Sequence, residues 1–159
     1  MSLPTVAQRL AQSVESAARA SVDDTVLHAA ERVLLDTLAC GLGAVNSAPG
    51  NAVRAWSRLI NGSPHANIIG TRDTSSVLGA TIANCTMSRH LDMNDCDWAR
   101  DPAHPSDNIG ACIAVGQVTG ASALDILKAI LIAYEVQMRS TELTKISFLK
   151  QRVGITPPS

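Results

Sequence analysis

The sequence predicts an all-α domain of about six helices. Three observations carry that expectation. Apolar residues recur at three- and four-residue spacing along most of the 159-residue chain. The aromatic residues are Trp56, Trp98, Tyr134 and Phe148 alone, so a core must come from Ala, Leu, Ile and Val, which suits closely packed helices. Polar caps and Gly, Pro or Asn breakers separate the periodic stretches.

The elements follow in order. Residues 3–20 place Val6, Leu10, Val14 and Ala17 on one helical face, with Pro4 suited to a first turn. Arg9, Arg19 and several serines make a targeting peptide the rival reading, which Glu15 and the missing cleavage pattern weaken. A second helix starts after the capping oxygens of Asp23 and Asp24, with a stripe of Val26, Ala30, Val33, Leu34, Thr37, Leu38 and Gly41. Its small residues Ala39, Cys40, Gly41 and Gly43 admit a close neighbour. Residues 46–50 break it. A third helix, residues 51–60, carries Val53, Trp56, Leu59 and Ile60 and ends at the Asn61-Gly62-Ser63-Pro64 turn. Residues 66–70 read as a short extended piece. A fourth helix, residues 76–91, has Leu78, Ile82, Cys85 and Arg89 along one edge. Residues 93–107 show no period and form a long ordered loop, a length at which loops are often functional. A fifth helix covers residues 108–119 and breaks at Gly120. Ser122 and Asp125 form an S-x-x-D box opening a sixth helix, which runs to about residue 144. The closing Gly154-Ile-Thr-Pro-Pro-Ser159 is not helical.

The first half of the sixth helix, from Leu124 to Val136, has almost no polar face. A helix apolar all round belongs in an interior. Either it is the centre of a compact six-helix bundle, or further protein covers it. The second possibility leads us to expect self-association through exposed apolar helices, as a homodimer.

Composition narrows the function classes. The chain is 46% hydrophobic and 17% charged, a globular rather than disordered composition. Thirteen basic and 14 acidic residues give a net charge of −1, which leaves no general basic surface for nucleic acid or anionic lipid. The apolar run at residues 129–134 falls far short of the ~20 residues of a bilayer span. None of the four cysteines forms a C-x-x-C pair, so a zinc ribbon or redox motif is excluded by spacing. With no secretory signal at the start, reduced thiols and a cytoplasmic location are expected.

Chemistry concentrates between Arg89 and Asp107. These 19 residues hold five of the 14 acids and two of the four histidines. Carboxylates crowded beside an imidazole shift one another's pKa values, as acid–base chemistry requires; a solvated acidic loop is the bland alternative. Asp92-x-Asn94-x-Cys96 opens like a calcium loop, but Cys96 replaces an oxygen ligand, Asp97 stands where glycine is needed and Ala103 where the closing Glu belongs. A zinc or iron site from His90, Asp92 and His104 has no motif spacing behind it. Pro105 holds His104 extended, and Ser106 falls where an N-cap of the fifth helix would be. His104 would then stand beside an anion-binding helix terminus. His28 and His65 read as surface histidines.

The stretches His90-Leu-Asp-Met-Asn-Asp95 and Asp101-Pro-Ala-His-Pro-Ser-Asp-Asn-Ile-Gly110 resemble the signature of the MmgE/PrpD family, which includes 2-methylcitrate dehydratase and cis-aconitate decarboxylase. Leu34-Leu-Asp-Thr-Leu-Ala-Cys-Gly-Leu-Gly-Ala44 resembles the family's early helix, and Ala129-Ile-Leu-Ile-Ala-Tyr-Glu-Val-Gln137 the helix after the His-Pro-Ser loop. The resemblance implies a mostly helical domain of a cofactor-free lyase, with no metal, acting on a small tricarboxylate in propionate metabolism. It assigns Asp92 and His104 to catalysis and places Asp95, Cys96 and Ser106 against the substrate. A threonine commonly follows the family's Asn-Asp pair, and Cys96, a weak hydrogen-bond donor, stands there instead.

Family members are longer, adding catalytic lysines and a smaller α+β domain. We therefore expect residues 1–159 to form one helical domain without that lid. The stretch from Arg89 to Asp107 carries two arginines against five aspartates, a net −3 that would repel a tricarboxylate. The chain by itself is thus expected to be inactive. The alternative function is a non-catalytic helical interaction module, or a truncated product, that keeps the family architecture.

Overall fold

The computed structural model describes residues 4–63, 65–98 and 102–143. Among them are six α-helices: α1 (Val6–Arg19), α2 (Asp24–Ala44), α3 (Ala48–Leu59), α4 (Val77–His90), α5 (Ile109–Thr119) and α6 (Ala123–Leu143). Two three-residue strands, β1 (His65–Asn67) and β2 (Thr74–Ser76), pair antiparallel with Ala66 opposite Ser75. A 3₁₀ turn, Pro105–Asn108, leads into α5. The all-α expectation holds, and no described helix is long and apolar enough to cross a membrane.

Helix α4 is the hub, packed on α2, α3 and α5. Small residues line the contacts: Ala44, Ala80, Ala83 and Ala114 are fully buried around Ile68 and Met87. At Gly110 an added Cβ would lie 2.6 Å from the Cys85 thiol and 3.1 Å from its backbone nitrogen. Glycine there sets the closest approach of α4 and α5, and with it the position of the loop that joins them.

Local signals explain most boundaries. Asp23 accepts from the Thr25 N–H at 2.8 Å and starts α2. Ser122 and Asp125 cap α6 reciprocally, at 3.2 and 3.1 Å. Gly120 ends α5 with φ +67°, a left-handed conformation that glycine adopts without strain. Helix α3 begins at Ala48, three residues before its expected start. Ser47 caps it, and Pro49 fits the first turn because no N–H is needed there.

Three expectations about faces need correction. The edge of α4 read as apolar leaves Leu78 exposed, while Gly79, Ala80, Ala83, Asn84, Met87 and Ser88 are buried. In α3 the buried residues are Gly50 and Ser57, and Leu59 faces solvent. Close helix packing favours small side chains over bulky ones in both places. Helix α6 is not enclosed. Ile130 is its only fully buried residue among those described, and its remaining apolar positions are half-covered by α1, α2 and α5 or exposed.

The β-hairpin was foreshadowed only by the extended reading of its first strand. It is pinned by α4 and α3. Asn84, fully buried on α4, accepts from the Ile69 N–H at 2.9 Å and donates to the Asn67 carbonyl at 3.1 Å. Ser75 donates to the Ser57 carbonyl at 2.6 Å. Arg54 and Arg58 of α3 both reach Asp73, at 3.1 and 2.9 Å.

The Arg54 guanidinium, with Arg58, holds the Asp73 carboxyl below its usual pKa of 3.8. A depressed carboxyl stabilises the fold when ionised, so its contribution is present above about pH 4 and lost as the pH falls through the lower folded-state value. Asp73→Asn is expected to lower stability at neutral pH and to flatten the loss of stability as the pH falls below about 4. Chemical denaturation across that range checks it; an unchanged acid limb would contradict it.

Candidate active site

The loop between α4 and α5 folds back on itself. Asp92 turns the chain with φ +53°, a left-handed conformation that a short polar side chain tolerates better than most. Asp97 and Ala103 then exchange both backbone hydrogen bonds, at 2.8 and 3.1 Å. The bridge lays residues 92–97 beside 103–107. Part of the stretch read as a long ordered loop without periodicity is thus held by pairing and by the 3₁₀ turn.

Arg89, in the last turn of α4, reaches into this fold. It pairs with Asp92 and donates to Asn94 Oδ1 at 3.4 Å. Its Nη2 lies 3.0 Å from His104 Nε2, and its Nε lies 4.0 Å from Asp107. A guanidinium only donates, so Nε2 presents its lone pair to it. His104 Nδ1 lies 2.6 Å from the Asp95 carbonyl, which only accepts, so Nδ1 carries the proton. The imidazole is thereby fixed as the neutral Nδ1–H tautomer, with the basic nitrogen facing Arg89.

The surrounding polar groups are satisfied by one another. Asn94, buried, donates to Ser106 Oγ at 2.9 Å and to Asp107 at 3.3 Å. The Asp95 carboxylate accepts from the Ser106 N–H at 3.2 Å and from the Tyr134 hydroxyl of α6 at 2.8 Å. Burial, and then the Asp95 carboxylate, push the Tyr134 hydroxyl far up, so it stays a donor. The two acids beside Arg89 diverge. Asp92 is exposed, and its hydrogen bond from Arg89 holds its carboxyl below the usual range. Burial raises Asp107, against the opposing charge of Arg89, and the Asp95 charge adds to the rise.

Of the residues singled out from sequence, Asp92, Asp95, His104 and Ser106 come together. Cys96 stands aside, its thiol 3.9 Å from the carbonyl of its own neighbour Asp97. Ser106 does not cap α5. It lies buried inside the 3₁₀ turn, and Asn108 precedes α5 with no side-chain cap. The N–H expected to bind a ligand anion there already holds the Asp95 carboxylate. Three participants were missed: Asn94, Asp107 and Tyr134. Arg89 was noticed only as a nearby charge, although its place three residues before Asp92 signalled the pair.

The other cations lie elsewhere or outside the described residues. Lys128 Nζ donates to the Ala20 carbonyl at 3.0 Å, and Arg100, Lys145 and Lys150 are not described. His28 pairs with Glu31 on the surface of α2. Among the described residues no three of His, Cys, Asp and Glu converge as metal ligands, so the set His90, Asp92 and His104 does not form. A separate open groove of about 780 Å³ lies between α2, α5 and α6, lined by Leu34, Leu35, Leu38, Ile113 and Ile126. It contains none of the Arg89–His104 cluster.

Comparison with known proteins gives this cluster a context. The MmgE/PrpD N-terminal domain family matches residues 8–153, which include the whole loop and all six helices but the first two residues of α1. The chain belongs to the MmgE/PrpD family. It is also similar to the "Probable 2-methylcitrate dehydratase" of Saccharomyces cerevisiae. The two are 31% identical over 134 residues, covering 70% of this chain and 24% of the relative. The matched region is thus about a quarter of that relative's length.

Proposed function

We propose that this MmgE/PrpD domain supplies the base and one carboxylate grip of a lyase of the 2-methylcitrate dehydratase type. The juxtaposition of His104 Nε2 and Arg89 Nη2, 3.0 Å apart, carries the proposal. Dehydration removes a proton next to a carboxylate and expels the β-hydroxyl. A neutral imidazole nitrogen can take that proton, and a guanidinium beside it can hold the adjacent carboxylate. A substrate carboxylate entering at Arg89 competes with the exposed Asp92, which releases the lone pair of Nε2 from the guanidinium. Asp107, raised by burial, is better suited than Asp92 to protonate the leaving hydroxyl. Asp95 and Ser106 then act from behind the histidine, and Cys96 at most borders the substrate.

The likeness to the yeast protein supports a tricarboxylate substrate and a setting in propionate metabolism. The four free cysteines fit a reducing, cytoplasmic compartment. Calorimetric titration with 2-methylcitrate tests the grip. Arg89→Ala is expected to weaken binding at least about tenfold, as for loss of a charged hydrogen bond. Equal affinity in the two proteins would overturn the proposal.

A second reading, an association module, is favoured by the apolar groove and by exposed Leu35, Leu42 and Leu124. The partner it predicts is a second copy of the chain. Light scattering at rising concentration is expected to show a dimer, and a monomer throughout would contradict it.

A further inference from the structure

We propose that Tyr134 is a positioning residue for His104, acting through Asp95. The proposal rests on His104 being the base, but the geometry behind it is independent of any substrate. Asp95 is held at both ends of its carboxylate, by Tyr134 at 2.8 Å and by the Ser106 N–H at 3.2 Å. A side chain clamped in this way fixes its own backbone. The Asp95 carbonyl is what receives His104 Nδ1–H, at 2.6 Å.

The consequence is chemical as well as mechanical. If the Asp95 carbonyl drifts, nothing selects the Nδ1–H tautomer. The alternative Nε2–H tautomer would aim a proton at the Arg89 guanidinium, donor against donor, and would remove the basic lone pair from the substrate side. Tyr134 is suited to the clamp because burial and the neighbouring carboxylate keep its hydroxyl protonated. It comes from α6, 39 residues beyond Asp95, so the tautomer of the base depends on how α6 is seated.

Nitrogen-15 NMR of the imidazole rings in the full chain reads this directly. Spectra are taken at alkaline pH, and His104 is assigned by its loss in His104→Gln. The wild-type chain is expected to show His104 as the Nδ1–H tautomer. Tyr134→Phe keeps the ring but not the donor, and is expected to shift the tautomer ratio about fivefold toward Nε2–H, as for loss of one hydrogen bond. An unchanged ratio in a folded Tyr134→Phe protein, or a wild-type His104 in the Nε2–H form, overturns the proposal. If Tyr134→Phe fails to fold, Asp95→Asn and Asp95→Ala replace it. Asn keeps an acceptor for Tyr134 and should hold the tautomer better than Ala; equal ratios overturn the proposal. A wild-type chain that shows the Nδ1–H tautomer but does not bind 2-methylcitrate would count against the proposed function alone.

Discussion

Grafted into the yeast relative in place of the matching segment, this chain is expected to support alkene formation from 2-methylcitrate that His104→Ala lowers by about 10²–10⁴-fold, the usual range for removing a general base. That corresponds to about 3–5 kcal/mol of transition-state stabilisation. The effect should be large because no other described group can take over. The acids of the cluster have other partners: Asp92 is held by Arg89, Asp95 by Ser106 and Tyr134, and Asp107, bonded by Asn94, is assigned to the leaving hydroxyl. The chain on its own is expected to give no alkene absorbance. Among the described site residues Arg89 is the one cation, and it already faces Asp92 and Asp107. Three substrate carboxylates and the developing negative charge need more positive charge than that. A graft whose turnover survives His104→Ala would contradict the role given to the imidazole. Turnover by the isolated chain that is lost with His104→Ala would instead show that the charge argument is wrong.

The largest stability effect is expected at Asn84. Asn84→Leu has nearly the same volume but leaves the Ile69 N–H and the Asn67 carbonyl without their partner. Two such losses at a fully buried side chain amount to about 2–4 kcal/mol. In a domain of this size that is a drop in melting temperature of roughly 5–15 °C. Thermal unfolding followed by circular dichroism measures it. A melting temperature within about 2 °C of the parent would mean that the hairpin is held without this side chain.

The helices were legible because each has its own caps and period. Asp23, Gly120 and the Ser122–Asp125 box act within four residues of the backbone they cap. Buried faces were less legible. The periodic signal picks out bulky residues such as Leu59 and Leu78, whereas the packing around α4 selects Ala, Gly, Ser and Asn. The hairpin escaped notice because Thr74–Ser76 has no apolar alternation; side chains from α3, α4 and α5 define it. Of the five residues chosen from the motif, Asp92, Asp95, His104 and Ser106 lie together in the cluster, while Asn94, Asp107 and Tyr134 were not singled out. Tyr134 carried no local signal, since its contact with Asp95 exists only once α6 has docked. Ser106 misled for a related reason. A serine after a proline looks like a cap until the 3₁₀ turn places two more residues, Asp107 and Asn108, before α5.

The central claim is that the Arg89–His104 cluster, and not the larger apolar groove, receives a tricarboxylate. Backbone amide NMR of the chain during titration with 2-methylcitrate tests it most directly. The expected result is a set of shifts at Arg89, Asp92, Asn94, His104 and Ser106 that move with one saturation curve and vanish in Arg89→Ala. Shifts confined to Leu34, Leu38, Ile69 and Ile113 along the groove, unaffected by Arg89→Ala, would contradict it.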